Sequence, residues 1–319
     1  MSDGRPGALF AVASLVLGCR AAAPVSSAPA PVAGAARCEV AVTVDDLPVH
    51  GPAFDGIDRV AIARRFLTVL AAHRLPPVYG FVNAKKVADD PSTESILRLW
   101  VAAGNPLGNH SFSHSSVHDV ALDAYLADID RGEPLVRALS PGTPRTFRYP
   151  FLFAGETNEK RDAVRAHLRR EGYVTAEVTI DADDWAYNAP FARCSDAHDQ
   201  GKLAELRRDF VAQHVEELQR MRALTRELAG GDVPQVLLLH VGAADADALD
   251  ELLSAYEREG VVFVPLETAL RHPFYASDAG PPRKMGAALP YLVARARGVT
   301  TPPPIFARGL EERLAATCR

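Results

Sequence analysis

Apolar runs of strand length alternate with longer segments of helical spacing along most of the chain. Short apolar runs predict strands at residues 40–44, 78–82, 106–109, 146–148, 173–180, 235–239 and 261–264. Apolar positions at helical spacing predict helices at residues 57–73, 93–103, 122–139, 159–171, 202–228, 246–259 and 266–270. Because strands and helices alternate strictly, we expect a parallel sheet covered by helices.

Polar side chains cluster where five of these strands end. The clusters are Asp45 with Asp46, residues 110–114, residues 148–151, residues 181–185 and residues 237–240. In a parallel barrel the carboxyl ends of all strands meet at one mouth, whereas an open sheet concentrates its site at one switch point. The spread of the clusters therefore favours an α/β fold of the distorted or incomplete (β/α)7 barrel type, with a single catalytic domain that is a metal hydrolase.

Length and composition suit one large domain with appendages. The chain has 319 residues, and its 48% of apolar residues is ample for a substantial core. We expect the barrel to occupy residues 38–271. Residues 272–319 are Pro-rich and lose clear periodicity, so we interpret them as a C-terminal extension that wraps the barrel or is partly disordered.

The N-terminus predicts export. Residues 1–19 combine Arg5 with a short apolar stretch, which is typical of a secretory signal peptide. Its end, Val16-Leu17-Gly18-Cys19, resembles a bacterial lipobox, although plain cleavage and a merely disordered segment are the alternatives. Residues 20–37 are rich in Ala and Pro and predict a flexible tether. We expect a protein of the bacterial cell envelope, periplasmic or anchored to the membrane through a lipidated Cys19.

Charge and cysteine content narrow the partners. The net charge is -5, and no basic stripe of the kind that nucleic-acid binding needs is present in the sequence, so we expect no nucleic-acid partner. We also expect a monomer. Beyond Cys19 the chain has Cys38, Cys194 and Cys318, which permits one internal disulfide at most. Cys38 and Cys194 are expected on opposite faces of the barrel, and Cys318 can pair with either.

The histidine and aspartate clusters suggest a metal centre. His110 and His114 are four residues apart, so on a helical turn both imidazoles would face one ion; two ordinary surface histidines are the alternative. Asp45 and Asp46 can address one site if the strand ends there, one binding a metal while the other accepts a proton. A pair of turn aspartates before Pro48 is the alternative interpretation.

Taken in order, the five clusters resemble the polysaccharide deacetylases of carbohydrate esterase family four, the NodB homology domain. That family has an Asp-Asp pair, a His-[Ser/Thr]-x-x-His motif, an Arg-x-Pro-[Tyr/Phe] motif, an Asp-x-x-Asp-Trp motif and a Leu-x-Leu-His motif. All five occur here between Asp45 and His240. The resemblance covers roughly residues 39–270, and the joint match is far more specific than any single motif.

The resemblance implies a metal centre with a neighbouring base. It assigns Asp46, His110 and His114 as metal ligands, with positions left open for water and for the substrate carbonyl. Asp45 would take a proton from the water, and Arg148 would hold Asp45 in place. Two imidazoles and one carboxylate favour zinc as the divalent metal, although cobalt, nickel and manganese also suit this ligand set.

The same resemblance implies a proton donor and a pocket. His240 would protonate the leaving amine and would be oriented by Asp181, while the backbone N–H of Phe151 would stabilise the oxyanion. Leu239 and Trp185 would line a small pocket for the acetyl methyl group. Amide hydrolysis needs these parts because an unprotonated amide nitrogen leaves poorly.

One position departs from the family pattern. The third motif usually continues with Gly, whereas Leu152 follows Phe151 here. Since Gly permits close backbone approach to a ligand, Leu152 would reshape the substrate cleft.

The sequence thus predicts an enzyme that removes N-acetyl groups from N-acetylglucosamine-containing glycans of the chitooligosaccharide or peptidoglycan type. Two rivals are a hydrolase of the same fold acting on O-acetyl esters or non-sugar amides, and a catalytically silent glycan-binding lipoprotein. Asp45, Arg148, Asp181 and His240 argue against the second rival, because sugar binding alone needs no proton relay.

Overall fold

The structure is a computed structural model that describes residues 1, 2, 4, 38–277, 279, 286–305 and 309–319. The chain divides into two units, Met1–Ala35 and Ala36–Arg319. The predicted signal peptide, lipobox and tether lie outside the described residues, apart from residues 1, 2 and 4. All five polar clusters belong to the second unit.

A curled parallel sheet forms the centre of the second unit. Its strands are β1 (Cys38–Leu47), β2 (Tyr79–Val82), β3 (Leu107–Asn109), β4 (Thr146–Phe147), β5 (Val174–Thr175), β6 (Gln235–His240) and β7 (Val261–Phe263). They pair in the order β5-β4-β3-β2-β1-β6, and every pair is parallel. The prediction of an incomplete parallel barrel in one domain is confirmed.

The segment from Val174 to Ile180 links the β4 side of the sheet to β6. Its start pairs with β4, and its end reaches the free side of β6, where Ile180 pairs with Leu237. The single strand predicted at residues 173–180 is therefore divided between two neighbours, which is why only two of its residues form β5. This division curls the sheet round on itself.

Strand β7 lies outside the main order. Val40 pairs with Gln235 of β6 and with Phe263 of β7, so these two strands lie on opposite sides of β1. Strand β2 pairs with β1 further along, from Thr43 to Leu47. Strands β7 and β2 pair with the same side of β1. Strand β7 therefore does not continue the strand order and cannot complete a regular ring.

Helices pack around the sheet. They are α1 (Arg59–Ala72), α2 (Ala84–Asp89), α3 (Glu94–Ala102), α4 (Leu122–Leu139), α5 (Asn158–Arg170), α6 (Asn188–Asp196), α7 (Gln200–Ala229), α8 (Ala243–Arg258), α9 (Leu266–Leu270), α10 (Leu289–Ala296) and α11 (Leu310–Ala315). The predicted helices match to within three residues at each end, whereas the short helices α2, α6, α10 and α11 were not predicted. Among the described residues, no helix has the length and apolarity that crossing a membrane requires.

Alternation along the strands separates two buried layers. On β1, Val40, Val42 and Val44 pack into the large apolar cluster shared with the helices. Ala41 lies in a smaller cluster with inward residues of neighbouring strands and with α9. Because side chains alternate along a strand, the series that begins with Ala41 continues through Thr43 to Asp45. The barrel interior is thus apolar at one end and polar at the mouth.

The C-terminal extension is part of the same compact unit. Helix α10 buries Leu289 and Val293 in the main apolar cluster, and α11 buries Leu314 there. A disulfide joins Cys194 of α6 to Cys318, while Cys38 is a free, buried thiol. Of the two pairings that the sequence left open, the structure has the one between α6 and the C-terminus.

We expect the variant Cys318→Ser to unfold more easily than the wild type. The disulfide spans 124 residues, and cross-links of this kind typically contribute about 2–4 kcal/mol by restricting the unfolded chain. Denaturant unfolding measures the difference, with the neighbouring variant Thr317→Ser as the control. An unchanged free energy of unfolding in Cys318→Ser would contradict the expectation.

Candidate active site

Residues from all five predicted clusters meet in one cavity at the mouth of the barrel. Its volume is about 390 Å³. The lining residues are Asp45, Asp46, His50, His110, His114, Tyr149, Phe151, Leu152, Phe153, Asp181, Asp183, Trp185, Leu238, His240 and Gly286. Of the predicted site residues, Arg148 lies buried behind this lining and Leu239 does not line it.

Both carboxylates of the Asp45-Asp46 pair face the cavity because the backbone of β1 is irregular at this point. The pairing of β1 with β2 shifts register between Val44 and Leu47, and Asp46 adopts a left-handed φ of 66°. A regular strand would direct neighbouring side chains to opposite faces. The two aspartates share the site although the strand continues to Leu47, so the expected strand end is not the cause.

The predicted metal ligands Asp46, His110 and His114 converge. Their ligand atoms lie within 4.8 Å of one another, with Nε2 of His110 and of His114 at 3.7 and 3.4 Å from Asp46 Oδ1. That oxygen is buried and accepts no hydrogen bond within the described structure. An unpaired carboxylate oxygen facing two imidazoles fits a divalent cation. The three residues are therefore suited to hold the metal.

The two histidines meet without a helix. Residues 110–114 have no helical turn; instead Ser111 and His114 have left-handed φ values of 62° and 58°. The expectation of a helical face was wrong, and this turn brings the imidazoles together. The Nδ1 atom of His110 lies 2.8 Å from the carbonyl oxygen of Arg148. Since a carbonyl only accepts, Nδ1 carries the proton and Nε2 is free to bind a metal.

Burial prepares both imidazoles for metal binding. It lowers the pKa of His110 and that of His114 to about 4, with the charge of His110 further lowering that of His114. Both rings are therefore neutral at neutral pH, and the neutral form is the one that binds metal.

Asp45 forms a buried ion pair with Arg148. The guanidinium Nη1 lies 3.2 and 3.3 Å from the two carboxylate oxygens, and both side chains are almost fully buried. Arg148 also donates to Thr43 Oγ1 and to the carbonyl of Ala176. Burial raises the pKa of Asp45, while Arg148 opposes that rise. The pairing expected for these residues is present.

Asp46 has a different electrostatic environment. Burial alone would raise its pKa, but a hydrogen bond from His50 and the charge of Lys86 hold the pKa of Asp46 well below its usual range. The His50 Nδ1 atom lies 2.9 Å from Asp46 Oδ2. His50 was not predicted, although its position four residues after Asp46 was a usable signal. A second possible triad of Asp46, His50 and His240 exists, but this hydrogen bond already engages His50.

The partner of His240 is Asp184 and not Asp181. Asp184 Oδ1 lies 2.9 Å from His240 Nδ1, and Asp184 Oδ2 accepts the backbone N–H of His240 at 2.6 Å. Asp181 lines the cavity and acts on His240 only through its charge, while it accepts the backbone N–H of Asp183. Both aspartates belong to the Asp-x-x-Asp-Trp motif, so the motif was found but the role was assigned to the wrong member.

The lining leucine is Leu238 and not Leu239. Leu239 is fully buried in the main apolar cluster, whereas Leu238 lines the cavity. Residues two apart on a strand share a face, so Leu238 must lie beside His240. Trp185 lines the cavity as expected, and its indole N–H donates to Asp183 Oδ1 at 3.3 Å.

Comparison with known proteins agrees with this geometry. The family model described as polysaccharide deacetylase matches residues 35–174. The matched segment is similar to that family and contains Asp45, Asp46, His110, His114 and Arg148. A comparison with curated proteins gives no significant match.

Solved structures are similar to this chain. A mutant of BA3943 from Bacillus anthracis, titled a CE4 family pseudoenzyme with restored enzymatic activity, is 17% identical, with 73% of this chain and 68% of that chain covered and a TM-score of 0.52. The wild-type BA3943 pseudoenzyme is 15% identical over 73% and 66% of the chains, with a TM-score of 0.51. Bacillus subtilis PdaA, titled a family 4 carbohydrate esterase, is 17% identical over 73% and 81%, with a TM-score of 0.48. A shared fold does not establish catalysis, so the site residues must carry that argument.

The third family motif has an unusual backbone here. Phe151 and Leu152 both adopt left-handed φ values, 56° and 53°. The family's usual Gly would adopt this conformation freely, whereas Leu152 does so at a cost of about 1–2 kcal/mol. Gly286 of the C-terminal extension packs closely on this turn, because an added Cβ there would lie 1.8 Å from the Phe151 carbonyl oxygen.

We expect zinc affinity to change little between about pH 7 and pH 5.5 and to fall steeply towards about pH 4, because His110 and His114 stay neutral down to that range. Ordinary imidazoles with a pKa of 6.5 would lose affinity from that pH downwards. Titration calorimetry of the metal-free protein measures this profile. A tenfold loss of affinity already between about pH 7 and pH 6 would be the opposite result.

We expect Arg148→Met to destabilise the fold by about 3–5 kcal/mol, because it leaves Asp45 as an unpaired buried charge. The double variant Asp45→Asn with Arg148→Met should recover part of that loss. Denaturant unfolding gives both values. Arg98→Met is the control, since Arg98 pairs with Glu94 at the surface and should contribute about 0–1 kcal/mol. Equal effects of Arg98→Met and Arg148→Met would be incompatible with a structural role for the buried pair.

Proposed function

We propose that this protein is a metal-dependent hydrolase that removes N-acetyl groups from N-acetylglucosamine-containing glycans of the chitooligosaccharide or peptidoglycan type. One observation carries the proposal: a single cavity contains the Asp46, His110 and His114 triad together with two separately supported proton-transfer groups, Asp45 and His240. A protein that only bound sugar would gain nothing from paired proton-transfer groups.

The triad would hold a divalent metal, with zinc as the first choice and cobalt, nickel or manganese as alternatives. When bound, such an ion acts as a Lewis acid that lowers the pKa of water and polarises a carbonyl. Asp46 is suited to the ligand role because its low pKa keeps it ionised. His110 is suited because its hydrogen bond to the Arg148 carbonyl orients the ring.

Asp45 would act as the general base. It lies beside the triad, with Oδ2 at 3.6 Å from His110 Nε2. Its pKa is raised by burial, which makes it a better proton acceptor than an exposed aspartate. Both carboxylate oxygens of Asp45 accept from the single Nη1 of Arg148, and this contact restrains the orientation of the carboxylate.

His240 would act as the general acid. Its Nδ1 is engaged with Asp184, so the proton for the leaving amine comes from Nε2. The His50 ring lies against this ring at a tilt of 35°, with centroids 4.3 Å apart. An amine must be protonated as it leaves, and a fixed imidazole is a suitable donor.

The remaining lining residues suit an acetyl group. Leu238 and Trp185 offer apolar surface for the methyl group. Phe151 lines the same cavity and lies beside His114, with ring centroids 4.5 Å apart. We assign the Phe151 N–H as a donor to the oxyanion, because Pro150 has no N–H to offer.

Export to the cell envelope is part of the proposal, with the glycan as partner and membrane attachment through a lipidated Cys19 as one route. The Cys194–Cys318 disulfide supports an oxidising compartment.

The test is acetate release by residues 38–319 from a chitooligosaccharide and from peptidoglycan, with acetylxylan beside them. Release should stop with a chelator and return with added zinc. We expect His240→Ala and Asp45→Asn to lose about 100-fold to 10,000-fold in rate, the usual contribution of general acid–base groups. His198→Ala is the matched control, because His198 is exposed.

The three substrates separate the alternatives. Release from acetylxylan alone would reassign the enzyme to O-acetyl esters. If no substrate releases acetate while zinc binds stoichiometrically, the N-deacetylase proposal fails and a non-sugar amide or a silent glycan-binding role replaces it. Activity that survives in His240→Ala at the level of His198→Ala would remove His240 from the mechanism.

A further inference from the structure

A second carboxyl group is buried directly behind the His240 and Asp184 pair. Asp245 lies in the first turn of α8, five residues after His240, and it is fully buried. Its sequence context, His240-Val241-Gly242-Ala243-Ala244-Asp245, continues the fifth motif. Charged side chains are seldom buried completely without a partner. No role described above accounts for Asp245.

One contact between the carboxyl groups of Asp184 and Asp245 requires a proton. Both oxygens of Asp184 accept from His240. Asp245 Oδ2 accepts from Asn188 Nδ2 at 2.9 Å, whereas Asp245 Oδ1 is buried and has no donor in the described structure. The turn Asp184–Tyr187 packs against α8, and the buried side chains of Asp184 and Asp245 interact there. Two carboxylates have no donor between them, so this contact exists only if one of them is protonated.

The surroundings fix Asp245 and indicate where that proton resides. Asn188 Oδ1 accepts the backbone N–H of Ala244 at 3.1 Å, which directs its amide nitrogen towards Asp245. Gly242 packs tightly against Asn188, because an added Cβ there would lie 2.2 Å from Asn188 Oδ1. Both oxygens of Asp184 already accept N–H groups, whereas Asp245 Oδ1 has no donor in the described structure, which favours Asp245 as the protonated member. Burial raises the pKa of both groups, to about 7 for Asp184 and well above the usual range for Asp245.

We propose that Asp245 is a neutral carboxylic acid that donates a hydrogen bond to Asp184 and thereby holds Asp184 in position to orient His240. Asp245 is a positioning residue, since it acts on the proton donor through Asp184. The effect of Asp245 on catalysis rests on the proposed function, whereas its protonation and its effect on the position of His240 do not. The charged or titratable groups around Asp245 are Asp184, His240 and His50.

Three variants separate a neutral donor from a structural carboxylate. Asp245→Asn keeps a neutral group that can donate to Asp184 and accept from Asn188, whereas Asp245→Ala removes the donor. Asp250→Asn is the matched control, because Asp250 lies on the same helix but has a largely exposed side chain. Thermal unfolding of all three shows which variants are folded.

The first readout is infrared difference spectroscopy between the wild type and each variant at neutral pH. We expect the carbonyl band of a protonated carboxyl group in the wild type and in Asp250→Asn, and its loss in Asp245→Asn. The second readout is the imidazole Nδ1–H resonance of His240. It should persist in Asp245→Asn and broaden or vanish in Asp245→Ala, provided that both are folded.

Kinetics give the third readout. If the enzyme is active, Asp245→Ala should lower kcat by about 10-fold to 100-fold with KM unchanged, because a misplaced catalytic group costs rate and not binding. Asp245→Asn should restore kcat to near the wild-type value. The absence of a protonated carboxyl band from the wild type, or an unchanged His240 resonance in folded Asp245→Ala, would overturn the proposal.

The two proposals fail separately. Acetate release that is absent in every protein, alongside the expected infrared band and the expected His240 resonances, would refute the proposed function and support the assignment of Asp245. Acetate release with Asp245→Asn as impaired as folded Asp245→Ala would support the function and refute the neutral donor.

Discussion

The site depends on the buried ion pair between the guanidinium of Arg148 and the carboxylate of Asp45. Two consecutive aspartates face one cavity, and such a pair repels unless positive charge lies close by. Arg148 compensates Asp45 directly and also donates to Thr43 on β1. Its backbone carbonyl accepts the Nδ1–H of His110, so the same residue also sets the tautomer of a predicted metal ligand. Arg148 therefore contacts Asp45 through its side chain and His110 through its backbone.

Asp45 and Asp46 have opposite pKa shifts because their surroundings differ. Burial dominates at Asp45 and raises its pKa, which suits a proton acceptor. The His50 hydrogen bond and Lys86 keep the pKa of Asp46 low, which suits a metal ligand that stays ionised. Two carboxyl groups with opposite pKa shifts at one site are a recurrent arrangement in acid–base catalysis.

Sequence patterns predicted what depends on periodicity and on motif order. The parallel alternation of strands and helices follows from apolar spacing, and the ordered clusters identified most of the cavity lining. Contacts that depend on tertiary geometry were not predictable. Asp181 and Asp184 belong to the same motif, and only the backbone conformation determines which of them contacts His240. Leu238 is the exception, because strand alternation from His240 already indicated it. The choice of Cys194 as the disulfide partner likewise required the positions of α6 and the C-terminus.

The most direct measurement is the position of zinc in a crystal of the protein, located by anomalous X-ray scattering. The account predicts one peak within coordination distance, about 2.0–2.2 Å, of Asp46, His110 and His114, with His240 not bound to the metal. A peak between Asp46, His50 and His240 would contradict it, because a histidine that binds the metal through Nε2 cannot donate the proton to the leaving amine.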